Sequence, residues 1–329
     1  MIGNMNMKPM SLFVALLLVG SATFRAQDIE DPFPDVDYNQ YADNMTFFGQ
    51  VMMGGEIQPD GVIVAVYCGD EIRGKGVTKK QGKHEHCAKF NITGETKNQP
   101  LHFKVFIGGR IIEVDQGEKF VNNTKLGSTT DYYYVNLPLP VVTTPSNEGW
   151  STTCVPFNAE IPDGVTVYAA TGVEEGRLQV TQLEGKILPA NTPVLVGTSV
   201  DGNFEWLSRV ATADKPETNI FKGTTEATPV EANSVFTLGH DKVTGEIGFW
   251  RYTGTTIPAN RAYLDNIPSD VKGITFLNDE DGVETVNSEQ FTVNTGAWYD
   301  LSGREVRRAS NRTLQRGIYV REGKKFVVK

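Results

Sequence analysis

The sequence has few of the residues on which most catalytic and metal sites depend: its 329 residues include four histidines and three cysteines. With only His84, His86, His102 and His240 available as imidazole bases, and no Gly-x-Ser-x-Gly elbow, nothing marks a serine-hydrolase site. No glycine-rich loop leads into a helical segment, so no phosphate cradle and no cofactor is expected. Cationic residues are outnumbered, 31 Lys and Arg against 40 Asp and Glu, and the net charge of -9 argues against nucleic acid as a partner. Long apolar runs are missing too. Residues 12–19 form a short one, but a membrane-spanning helix needs about 20 apolar residues, so no transmembrane segment is expected.

That run follows Lys8 and is succeeded by Gly20, Ser21 and Ala22, the order of a secretory signal peptide. Cleavage after Ala22 satisfies the small-x-small rule; cleavage after Ala26 would start the mature chain at Gln27, and residues 1–26 are taken as the leader. The rest is too long for one core. Its 33 glycines and 16 prolines separate short runs rich in Val and Thr, the composition of antiparallel sheets. The fold class is therefore all-β: tandem β-sandwich modules with a small C-terminal antiparallel unit.

Residues 27–43 are acidic and carry Pro32 and Pro34, which reads as a linker. A first module over 44–137 has strand-like segments at 46–53, 62–68, 88–92, 101–107, 111–114 and 132–135. Residues 62–68 are apolar on both faces and should form a central strand. Gly108-Gly109 is spaced as a tight hairpin turn. The set fits an immunoglobulin-sized sandwich. Residues 138–148, with Pro138, Pro140 and Pro145, read as an extended spacer.

The second module, 149–267, repeats itself at an offset of 69. Ile187-Leu188-Pro189-Ala190-Asn191 falls on Thr256-Ile257-Pro258-Ala259-Asn260, Val167 and Ala169 on Phe236 and Leu238, and Leu178 and Val180 on Ile247 and Phe249. Gly176 and Gly185 fall on Gly245 and Gly254. Two β-meanders packed as a pseudo-symmetric sandwich or barrel would explain this, since neither copy alone buries its apolar face. Residues 268–296 then read as a linker, and 297–329 as a terminal β unit in which Ile318 and Val320 face Phe326 and Val328 across Glu322-Gly323. That last segment is basic while the remainder is acidic.

Candidate chemistry is sparse. Strand alternation would put His84 and His86 on one side, where they could share a zinc with a third ligand; a polar hairpin tip is the plainer alternative. Cys68 and Cys87, both in the first module, are the candidate disulfide pair, against reduced cysteines packed as small hydrophobes. Asn278-Asp279-Glu280-Asp281-Gly282 offers oxygen ligands for calcium without EF-hand spacing, and reads as a solvated acidic turn. Paired carboxylates of a glycan hydrolase leave no trace in sequence. In the repeat, Thr181 and Leu183 stand opposite Trp250 and Tyr252, so one copy has gained two aromatics suited to sugar rings or peptide side chains, or to packing on a neighbouring element. Tyr132 and Tyr134 form a second aromatic candidate.

The tail Trp298-Tyr299-Asp300-Leu301-Ser302-Gly303-Arg304-Glu305-Val306, with Gly317-Ile318-Tyr319-Val320 and a terminal stretch ending at Lys329, resembles the C-terminal sorting domain of type IX (Por) secretion substrates. The resemblance implies export across an outer membrane through the type IX secretion machinery as a partner, and localisation at the cell surface or outside the cell. The second module, opening with Val155-Pro156-Phe157 and carrying two Pro-Ala-Asn turns, is similar to β-rich repeats of large surface proteins of the same bacteria. Asp70-Glu71-Ile72-Arg73-Gly74 resembles a turn in modules that accompany them. Together these imply a non-catalytic structural or binding protein with a polysaccharide or host protein as ligand; the rival expectation is an envelope glycan hydrolase.

Overall fold

The computed structural model describes residues 31–276, apart from 96, 97, 147 and 243, and beyond them the strands Val283–Val286, Tyr299–Asp300, Gly317–Arg321 and Lys324–Val328. The leader, the acidic turn at 278–282, and the tail positions Leu301, Ser302, Gly303, Arg304 and Lys329 lie outside the described residues. The chain falls into two units, Met1–Pro34 and Asp35–Lys329, and the architecture that follows is that of the second. It is all-β: among the described residues no helix forms, and none is therefore long and apolar enough to cross a membrane.

The first module is a β-sandwich. One sheet runs Tyr133–Leu137, Asp43–Met53, His84–Gly94, Lys79–Gln81; the other runs Glu71–Val77, Ile63–Cys68, His102–Ile107, Arg110–Val114. The long strand Asp43–Met53 pairs antiparallel with His84–Gly94 and parallel with Tyr133–Leu137. Alternate residues meet between the sheets, so Phe47, Val51, Val64, Val66, Phe90, Phe103, Val105 and Val135 make one core. Ile63–Cys68 lies inside its sheet and is buried on both faces, as its unbroken apolar run requires. Ile107 pairs with Arg110 across Gly108 and Gly109, both at positive φ, the backbone of a tight primed turn.

Three stretches read as connectors are built into the fold. At the end of the first, Tyr41 donates its hydroxyl to Glu71 at 2.9 Å while the Arg73 guanidinium lies 4.0 Å from the centre of its ring. Those residues belong to a strand, Glu71–Val77, and not only to a turn. Within 138–148, Val141–Thr143 is a strand paired with Phe204–Trp206; Val141 and Thr143 are buried, and the Trp206 indole donates to Thr143 Oγ1 at 2.8 Å. Alternation of an inward residue with exposed Val142 overrides the flanking prolines. Within 268–296, Gly273–Ile274 pairs with the strand Ile247–Arg251, and Ile274 and Phe276 enter the second core, while Val283–Val286 pairs with Lys324–Val328.

The repeat is real, but its copies are not meanders. In the first, the strand order is Trp150–Thr153, Val194–Thr198, Val165–Glu174, Arg177–Gln182, with a separate ladder Ala159–Glu160 against Ile187–Leu188. The second has Lys222–Thr224, Arg261–Tyr263, Phe236–His240, Ile247–Arg251 in the same arrangement, with Thr228–Pro229 against Thr256–Ile257. The return strand crosses over to lie between the first and third. Partners match at the offset of 69 except in one strand: Phe236 pairs with Arg251 and Leu264 where Tyr168 pairs with Gln182 and Leu195, an offset of 68. Phe236 therefore corresponds to Tyr168 and not to Val167; past the first copy's bulge between Ala170 and Gly172 the offset falls to 67, with Val173 and His240 opposite Leu178 and Ile247, and the hairpin after the strand restores it. Asn191 and Asn260 close the two Pro-Ala-Asn turns at φ 56° and 57°.

Leu178 and Leu195 from the first copy pack with Phe236, Ile247, Phe249 and Leu264 from the second in one core, so neither copy is closed alone. Val155, Val167, Leu188, Val196, Phe204 and Trp206 form another. The modules join where Arg110–Val114 meets the chain after Phe204–Trp206: Glu113 receives Lys104 at 2.9 Å and the Val210 N–H at 3.1 Å, and Arg209 bonds Ile111 O and Glu160. In the tail, Gly317–Arg321 and Lys324–Val328 form the expected hairpin, with Ile318 opposite Val327 and Val320 opposite Lys325, one position from the pairing read in the sequence.

Candidate functional site

Four rings meet on the first sandwich, on the sheet face that points away from its core. Phe47 and Val51 turn inward, so Phe48 and Gln50 of the same strand turn outward. Over Phe48 lie Tyr132, near-parallel at 5.9 Å, and His84, edge-on at 5.7 Å. Tyr134 stands perpendicular to Tyr132 at 6.5 Å and is 37% exposed. His84 Nδ1 and the Tyr132 hydroxyl share a hydrogen bond of 2.5 Å. Desolvation raises the Tyr132 phenol above its ordinary value, with Cys87 and Tyr134 adding to it. Gln50 and Cys87 are buried although on this outer face; both donate to Glu85 O, and Gln50 Oε1 is buried without a partner.

This geometry separates the residues proposed to share a metal. His86 sits at φ 56°, which breaks the two-residue alternation of a strand and sends its ring to Asp60 Oδ1 at 2.8 Å, while His84 goes to Tyr132. Among the described residues no group of three His, Cys, Asp or Glu side chains is placed to hold a metal ion. The candidate disulfide is not formed either: Cys68, Cys87 and Cys154 are free thiols. Cys68 lies in one sheet beside the core and Cys87 in the other beneath the outer face, so their side chains do not converge. Burial raises the Cys87 thiol, opposed by the Gln50 hydrogen bond, and pushes Cys154 up to about 11.

The remaining histidines are also held in place. His102 is half-buried and stacks on Tyr67 at 5.7 Å with Nε2 buried and unpartnered, and burial, aided by Lys104, lowers its pKa. His240 ends a strand, 3.8 Å from Glu148.

In the second module, the two aromatics of the richer copy part company. Trp250 pairs with Gly273, and its ring covers that glycine so closely that a Cβ there would overlap it. Tyr252 lines a groove of about 410 Å³ between the copies, its hydroxyl donating to Thr256 O at 2.8 Å. Trp150, Ser151, Leu238 and Arg261 line the same groove. Next to it, sharing Thr144, Pro145 and Ser146, is a hollow of about 530 Å³ that Glu148 and Asp201 line.

Sequence reading singled out Tyr132, Tyr134, His84 and Tyr252, but missed Phe48, Trp150, Ser151 and Arg261. For Arg261 a signal existed, because the repeat places Thr192 at the matching position. No protein-family model, no curated protein and no solved structure matches this chain.

Proposed function

We propose that this chain is an exported, non-catalytic binding protein of a bacterial surface, with the ring cluster of the first sandwich as its contact face. The observation that carries the reading is the cluster itself. Phe48, His84, Tyr132 and Tyr134 gather on the sheet face that the sandwich core does not use, and Tyr134 keeps over a third of its surface open. Rigid aromatic rings on a sheet suit the apolar faces of sugars and the side chains of protein partners, at small entropic cost. Support for a non-catalytic role comes from the histidines, which bond or stack with Tyr132, Asp60 and Tyr67 or stand near Glu148. Export rests on the leader read at residues 1–26 and on the resemblance of the tail sequence to type IX sorting domains.

Fractionation of the native host with mass spectrometry of both chain ends tests export, and surface or medium recovery is the expected result. Arrays of neutral glycans and extracellular proteins test binding: Tyr134→Ala should abolish the signal while leaving the melting temperature in place. Periplasmic recovery with Lys329 intact, or array binding unchanged in Tyr134→Ala, would overturn the corresponding half. A second reading, glycan hydrolysis, is favoured by one observation, the two carboxylates Glu148 and Asp201 lining one hollow. Release of reducing ends from polysaccharide, lost in Glu148→Gln, would establish that reading instead.

A further inference from the structure

We infer that the groove between the two repeat copies binds an anionic glycan in which uronic acid units alternate with neutral sugars, the carboxylate seated on Arg261. This is a second site, and its case does not rest on the ring cluster of the first module.

The cation comes first. Arg261 is half-buried in the groove wall, and its hydrogen bond runs from Nη1 to Thr152 O at a long 3.4 Å. Among the described residues no carboxylate lies within ion-pair distance of it, although the chain as a whole carries net charge -9. Withdrawing a guanidinium partly from water without a counter-charge is costly, and a ligand carboxylate would offset that cost through a charge-assisted, bidentate contact.

The fold does not require this arginine. In the first copy the matching position is Thr192, 2% exposed, in the same Pro-Ala-Asn turn with its asparagine at the same φ. Likewise Leu183 stands where the second copy has Tyr252. One copy builds the turn with small or aliphatic side chains; the other builds it identically and adds a cation and a phenol ring facing the groove.

The remaining lining suits sugars better than peptide. Trp150 and Tyr252 offer ring surface, and Thr144, Ser146 and Thr237 offer hydroxyls that both donate and accept. Ser151 also lines the groove, and its hydroxyl is buried with no hydrogen-bond partner. In the adjoining hollow, Glu148 and Asp201 would repel a second carboxylate but accept hydrogen bonds from neutral sugar hydroxyls, which is why acidic units must alternate with neutral ones. An extended peptide would need a free strand edge to pair with. Arg261–Tyr263, the strand that carries the cation, has Lys222–Thr224 on one side and is followed by Leu264 bridged to Phe236 on the other, so its edges are taken.

The test is isothermal titration of the full chain with a hyaluronan tetrasaccharide, which alternates glucuronate with an uncharged N-acetylhexosamine. Neutral chitotetraose and a tetraglutamate peptide are the comparators. Binding of the hyaluronan probe alone is expected, weakening as salt rises. Arg261→Thr, which copies the sister turn and so preserves the fold, should weaken it by roughly tenfold or more, the range of a lost charge-assisted contact. Tyr134→Ala should leave it unchanged. No binding of the probe, equal binding by Arg261→Thr, or a preference for chitotetraose or the peptide would each overturn the inference, and none of these results depends on the first-module face.

Discussion

His102 shows how one buried side chain sets a pH response. Its Nε2 is shut away without a partner and its pKa is lowered by burial, so the folded state resists a proton that the unfolded chain accepts. The stability this group contributes is complete above the unfolded value of 6.5 and is lost as pH falls below it toward the depressed folded value. Urea midpoints measured between pH 7 and 5 should therefore drop in the parent, and His102→Gln should flatten that slope. A slope unchanged by the substitution would place the acid sensitivity elsewhere. Trp250 makes the complementary point at the same scale. The sequence marks it as a gained aromatic, yet its fate depends on Gly273, whose missing side chain is what lets the indole lie down against the sheet.

Among the elements, the two Pro-Ala-Asn turns are the clearest case of local chemistry reused. Proline presets φ at the start, and asparagine tolerates the left-handed backbone that each turn needs. Asn191→Ala and Asn260→Ala should each cost about 1 kcal/mol by urea denaturation, because alanine gives up the short polar side chain that makes asparagine tolerant of that region. Similar losses would show that the copies use the turn alike; a loss in one copy alone would show that the turn matters only there. The strand Val141–Thr143 teaches the opposite lesson. Prolines on both sides make it look like a spacer, but Thr143 accepts the indole N–H of fully buried Trp206, a partner 63 residues later. A connection of that range is invisible to any window that reads neighbours. Phe236 illustrates a milder failure, since its apolar character fits either offset and only the pairing with Arg251 and Leu264 chooses 68 over 69.

At the scale of the whole molecule, the two modules are tied by charges that burial makes consequential. Glu113, 8% exposed, holds Lys104 of its own module and the Val210 N–H of the other, while Arg110 pairs with Glu205 at 2.6 Å and Arg209 donates across the junction to Ile111 O. Glu113→Ala would strand the Lys104 ammonium and the Val210 amide, a loss of about 1–3 kcal/mol concentrated at the junction. Calorimetry should then show two transitions, one per module, where a single one is expected for the parent. A single transition at lower temperature would mean that the remaining junction contacts, Arg110–Glu205 among them, suffice to keep the modules coupled.

What neighbours in the chain dictate is the local order. Alternating and continuous apolar runs specify strands and mark Ile63–Cys68 as central, paired glycines specify the hairpin at 108 and 109, and self-similarity at 69 residues specifies two matching ladders. Each of these depends on backbone preference or periodicity within a few residues, which is why it can be read directly. Sites depend on something else. Phe48, His84, Tyr132 and Tyr134 come from three separate strand regions, and Trp150 meets Tyr252 and Arg261 around one groove across more than a hundred residues. Their meeting follows from strand order, crossover and register, properties set by how whole faces bury one another, and those were decided only when the sheets packed.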